Sequence, residues 1–77
     1  MKIFIDQGHN PQNPNAGAEA NGVREQDVTY IVGVELAALL RADPFFEVRL
    51  SRNSPTEQLG TSVATSLAAR VNAANSW

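Results

Sequence analysis

An α/β fold of strand–helix–strand–helix order is the class this sequence predicts, on three observations. Ile3, Phe4 and Ile5 form a short run of β-branched and aromatic side chains that stops at Asp6. From about Arg24 to Arg41 the apolar residues recur at three- and four-residue steps, the period of a helix. Phe46, Val48 and Leu50 then alternate with Glu47, Arg49 and Ser51, the period of a strand.

The elements follow in order. Lys2 to Asp6 reads as a strand covered on both faces, as in a parallel sheet. Gln7 to Gly22 reads as a loop, since it holds Pro11, Pro14, three glycines and several asparagines. A loop of about sixteen residues in a compact domain is usually functional or mobile. A helix begins near Arg24 to Gln26, with Val28, Ile31, Val32, Leu36, Leu39 and Leu40 on its apolar side, and Leu36 is expected to face the sheet. Glu25 and Asp27 fall in its first turn, the favourable end of the helix dipole for a carboxylate. Asp43-Pro44 ends it, because the residue before proline avoids helical dihedrals. After the second strand, Ser51 to Thr61 is a polar loop. A last helix runs from Ser62 to about Asn75, with Val63, Leu67 and Val71 at four-residue steps.

Strand, helix, strand implies a parallel pair joined by a right-handed crossover. Two strands and two helices do not cover both faces of a parallel sheet. The chain therefore reads as part of a larger α/β domain, or as a protomer that depends on a partner.

Composition narrows the classes. A chain of 77 residues is one small domain, and with no cysteine its extra support must come from a metal or a partner. A hydrophobic share of 43% argues against disorder. Net charge is −2, and the cations Lys2, Arg24, Arg41, Arg49, Arg52 and Arg70 are scattered, so no nucleic-acid partner is expected. No apolar run has the length of a membrane span. Met1 leads straight into the strand pattern, so no signal peptide is visible.

The candidate chemistry lies at one sheet edge. His9, the single histidine, follows Asp6 and Gly8 at the carboxyl end of the first strand, where open α/β sheets bind ligands. The helix returns antiparallel to the strand, so Glu25 at its start belongs to the same edge. A neutral imidazole and a carboxylate are both good zinc ligands. Each also has a plain structural reading: His9 as a hydrogen-bonding loop residue, Glu25 as a dipole partner or cap. Catalytic zinc generally takes three protein ligands. Asp6, Glu19 and Asp27 are further carboxylates without a signature spacing. Asp6 is expected to accept from loop amides. Arg52 ends the second strand at this edge and either faces a substrate or braces a loop. Arg70 and Asn72 are expected to brace the loops. Phe45 and Phe46 read as core or strand entry, and Trp77, if the chain is cut, as an interior residue left exposed.

Five segments in order resemble the amino-terminal half of the zinc-dependent N-acetylmuramoyl-L-alanine amidases. "IFIDQGHN" (3–10) is similar to the family's Asp-Pro-Gly-His-Gly motif, with Gln7 for the usual proline and Asn10 for glycine. Gly17-Ala18 matches a Gly-Ala pair, and "NGVRE" (21–25) looks like the Gly-x-x-Glu segment that carries a second ligand. "FEVRLSR" (46–52) and "LAARVNAAN" (67–75) resemble the Val-x-Leu-Thr-Arg and Leu-x-x-Arg-x-x-x-Ala-Asn segments.

The resemblance implies that residues 1–77 are the incomplete amino-terminal half of a three-layer α/β catalytic domain with a mostly parallel sheet. It carries metal roles onto His9 and Glu25, with Zn2+ as cofactor. It implies peptidoglycan as substrate, cut between N-acetylmuramic acid and L-alanine, and an extracellular or cell-wall location. The family's third ligand, in a Ser-x-His segment, and its catalytic glutamate come later in the chain. No catalytic residue is thus assigned within residues 1–77, and this chain alone is expected to be inactive. Self-association, or pairing with the missing half, is the partner expectation. The competing reading is a metal-free binding or assembly module with an amidase-like half-fold.

Overall fold

The computed structural model describes residues Met1–Trp77. The order is β1 (Lys2–Ile5), β2 (Glu19–Ala20), β3 (Val23–Arg24), α1 (Glu25–Arg41), β4 (Glu47–Leu50) and α2 (Val63–Asn75). The α/β class stands, with β1 and β4 parallel in the register Lys2↔Glu47 through Ile5↔Leu50. Ile3, Ile5, Val48 and Leu50 share the face toward α1. Phe4 and Arg49 share the other, where the Trp77 ring lies 6.5 Å from the Phe4 ring and 4.8 Å from the Arg49 guanidinium. Trp77 is therefore half-buried against the sheet, not left exposed.

The long loop is less irregular than its composition suggests. Glu19–Ala20 and Val23–Arg24 pair antiparallel around Asn21 and Gly22, both at positive φ (53° and 76°). That is the backbone an Asn-Gly hairpin turn requires. The hairpin delivers the chain into α1. At α2, Ser62 and Thr65 form a reciprocal cap: Ser62 Oγ accepts from the Thr65 amide, and Thr65 Oγ1 accepts from the Ser62 amide.

The interior departs most from expectation. Only Ala37 and Val48 form a buried apolar core, whereas Gln7, Asn10, Gln26, Ser51, Arg52, Ser66 and Arg70 are all buried. The chain measures 37 × 29 × 14 Å. Its short axis is close to one helix diameter, about 10–12 Å with side chains, so few side chains are enclosed on every side. On α1 the buried face is Gln26, Gly33 and Ala37, and Leu36 is 44% exposed. The helix was expected to turn Leu36 onto the sheet; instead its small residues make the close approach. A Cβ built on Gly33 would come within 2.3 Å of Gln7 Cγ. Val28, Val32 and Leu36 instead line an open groove of about 280 Å³ beside Ile5. Val63, Leu67 and Val71 of α2 are also exposed.

Candidate metal centre

Gly8 and His9 follow β1 at the carboxyl edge of the parallel pair. Glu25 opens α1, and its amide donates to Ala18 O at 2.8 Å, which fixes the residue entering the hairpin to the start of the helix. Strand end and helix start thus meet, and His9 Nε2 touches Glu25 Oε1 directly. The two residues singled out from sequence are brought together. His9 is half-buried and Glu25 exposed, so the pair opens to solvent. The pairing needs a glycine beside it. A Cβ on Gly17 would lie 2.7 Å from Glu25 Cβ and 2.9 Å from Glu25 Oε1.

Two arginines hold the backbone under this pair. Arg70 reaches from α2 and donates to Gln7 O at 2.6 Å and His9 O at 2.7 Å. It also donates to Asp6 Oδ1 at 2.7 Å and Asn10 Oδ1 at 3.0 Å. Arg52 lies on the other side, donating to Gln26 O at 2.8 Å and Gly8 O at 3.4 Å, with its guanidinium 5.3 Å from the Tyr30 ring. Burial, and secondarily the nearby Arg70 charge, pulls the Arg52 guanidinium below its ordinary pKa. An arginine remains a cation even so.

These contacts settle the bracing expectations. Asp6 accepts from a guanidinium rather than from loop amides, because Arg70 passes directly beneath it. Arg52 braces the loop and does not face solvent. Of the two α2 candidates Arg70 is the brace, while Asn72 is exposed.

Sequence reasoning missed Asn10 and Gln7. Asn10 is fully buried and ties the loop to the segment before α2. Its Nδ2 donates to Pro14 O and Leu59 O, both at 2.8 Å, and its Oδ1 accepts from the Leu59 amide at 3.1 Å. The only advance sign was that both positions depart from the motif they resemble.

Two donors in contact do not make a closed metal site. No group of three or more His, Cys, Asp or Glu side chains converges anywhere in the chain. His9 Nδ1 is buried with no hydrogen-bond partner.

The result is a small α/β domain that presents an imidazole–carboxylate pair at the carboxyl edge of a parallel sheet. The chain belongs to the N-acetylmuramoyl-L-alanine amidase family, whose profile matches residues 3–77. It is 40% identical over its whole length to the N-acetylmuramoyl-L-alanine amidase CwlM of Bacillus licheniformis, covering 27% of that protein. It is 35% identical, again over its whole length, to the sporulation-specific N-acetylmuramoyl-L-alanine amidase of Bacillus subtilis strain 168, also covering 27%. Over 70% of the chain it is 42% identical to the probable N-acetylmuramoyl-L-alanine amidase AmiB of Haemophilus influenzae, covering 12%. The chain thus spans about a quarter or less of the relatives it matches. No solved structure matches it. No helix is long and apolar enough to cross a membrane.

Proposed function

We propose that residues 1–77 are the amino-terminal half of the catalytic domain of a zinc-dependent cell-wall hydrolase. It cleaves the amide bond between N-acetylmuramic acid and the L-alanine of peptidoglycan, and it works outside the cell, at the wall. The observation that carries this is the direct contact of His9 Nε2 with Glu25 Oε1, in a chain of the amidase family.

The donor chemistry fits zinc. An imidazole nitrogen and a carboxylate oxygen are ordinary zinc ligands, and they already touch at an open edge. They supply two of the three protein donors a catalytic zinc generally takes, so the third comes from outside these 77 residues. When bound, zinc polarises the amide carbonyl and lowers the pKa of a coordinated water. His9 and Glu25 would hold the ion; Gly17 leaves room for the Glu25 carboxylate, and Arg52 and Arg70 fix the backbone of the His9 loop. The general base, like the third ligand, is assigned outside these 77 residues, and this segment by itself is expected to be inactive.

Zinc content and muropeptide amidase activity of the full-length gene product test this reading. Stoichiometric zinc, lost together with activity in His9→Ala and in Glu25→Ala, is the expected result. Full zinc occupancy in both variants would overturn it.

The exposed stripes Val28–Val32–Leu36 and Val63–Leu67–Val71 favour a second reading, a metal-free assembly module that buries them against itself or a partner. Wild-type protein that self-associates, binds no zinc and hydrolyses no amide would move the assignment there.

A further inference from the structure

Three consecutive carbonyl oxygens in the His9 loop are held by side chains from α1, α2 and the loop after β4. Arg70 of α2 takes Gln7 O and His9 O. Thr29 of α1 takes Gly8 O at 2.8 Å, and Arg52, after β4, approaches the same oxygen. His9 itself sits at φ 68°, in the left-handed region that non-glycine residues seldom occupy. A backbone in that region persists when its surroundings over-determine it. Arg70 supplies most of that constraint. Its buried fork spans residues 6 to 10 with four hydrogen bonds, from a position 61 residues along the chain from His9.

We propose that Arg70 is a positioning residue for His9. It locks the left-handed turn so that the imidazole meets Glu25 before any metal arrives. The metal consequence rests on the zinc reading above; the positioning does not. Lysine is a poor substitute, because a single ammonium cannot copy the planar spread of a guanidinium. Ser66 provides the control. It is a buried α2 residue that accepts from Asn15 Nδ2 at 3.2 Å, one turn before Arg70, and makes no hydrogen bond to His9.

The test uses the full-length protein with Arg70→Lys, Asp6→Asn and Ser66→Ala. Asp6→Asn is the milder probe, loosening Arg70 from its exposed charge partner. In metal-free protein, NMR reads the left-handed His9 φ from its strong intraresidue amide–Hα cross-peak and the ring contact from its cross-peaks to Glu25. Zinc affinity is read by chelator competition well below the melting temperature. Arg70→Lys should lose the strong His9 amide–Hα cross-peak and the Glu25 cross-peaks, and should weaken zinc by about 10–100-fold, the usual effect of removing a group that orients a ligand. Asp6→Asn should show the same changes in weaker form. Ser66→Ala should leave all three readouts unchanged even where its melting temperature falls. Native His9 signals in both Arg70→Lys and Asp6→Asn would overturn the proposal, whatever the zinc result. Wild-type protein with native His9 signals but no zinc affinity would defeat the zinc reading alone.

Discussion

The side-chain amide of Gln7 pairs with the backbone of Arg52 as a further strand residue would. Gln7 Nε2 donates to Arg52 O at 3.0 Å, and the Arg52 amide donates to Gln7 Oε1 at 2.9 Å. The Gln7 amide also donates to Ser51 Oγ at 3.1 Å. The β1–β4 ladder is thus prolonged past Ile5 by a side chain. Proline at position 7, the more usual residue in the motif, has neither the amide donor nor the carboxamide.

Gln7→Ala should therefore be costly for a polar truncation. It leaves a buried N–H and a buried C=O of Arg52 without these partners, and each such loss is worth about 1–3 kcal/mol. Urea titration should show a lower midpoint with an unchanged slope. A midpoint equal to wild type would mean that water replaces the amide freely.

Gly33→Ala pits two effects of known size against each other. Alanine in a helix interior gains about 1 kcal/mol over glycine. Here its Cβ would meet Gln7 Cγ at 2.3 Å, and overpacking of that kind costs about 1–3 kcal/mol. Net destabilisation is expected in the wild-type background. In Gln7→Ala the clash is gone, so the same change should stabilise by about 1 kcal/mol, the helix propensity alone. A double-mutant cycle with no coupling would show that Gln7 does not occupy the space beside Gly33.

His9→Ala and His9→Gly should separate metal binding from backbone strain. Both remove the imidazole and should abolish zinc binding. Glycine tolerates φ 68°, whereas a side chain there carries a penalty of about 1–2 kcal/mol. His9→Gly should be the more stable of the two by roughly that amount, as read from thermal or urea midpoints. Equal stabilities would mean that the loop relaxes out of the left-handed turn once the imidazole is lost.

Gly17→Ala should act on the metal and on the fold together. Its Cβ would lie 2.7 Å from Glu25 Cβ and 2.9 Å from Oε1, and turning the carboxylate away relieves only the second, so the backbone around Gly17 or Glu25 must shift. A zinc affinity lower by about 10–100-fold, as for other changes that disorient a ligand, is expected together with a loss of stability of about 1–3 kcal/mol from overpacking. Unchanged affinity and melting temperature would show that the loop yields without moving Glu25.

The strands and helices were legible because apolar periodicity marks them, and α1 and α2 lie within a residue or two of the ranges it predicts. The meeting of His9 and Glu25 was legible as well, since a strand end and the start of the following helix share an edge. The β2–β3 hairpin was readable in principle from Asn21-Gly22, but each strand is only two residues long. The polar interior was not readable. Periodicity follows apolar side chains, whereas Gln7, Asn10, Arg52 and Arg70 are buried through bonds that reach up to 64 residues along the chain. The same blindness misplaced Leu36: a repeat shows which residues share a face, and Gly33 and Ala37 decide which face the sheet can approach.

A core of amides and guanidinium groups under an apolar exterior has a calorimetric consequence. Heat capacity rises on unfolding because hydrocarbon becomes wet, and falls as polar groups do. In these 77 residues much of the hydrocarbon is wet already, and the buried groups are mostly polar. The heat-capacity increment of this segment should fall below the usual value of about 12–15 cal/mol/K per residue. Its stability curve should then be flatter, with less curvature between its maximum and the melting temperature.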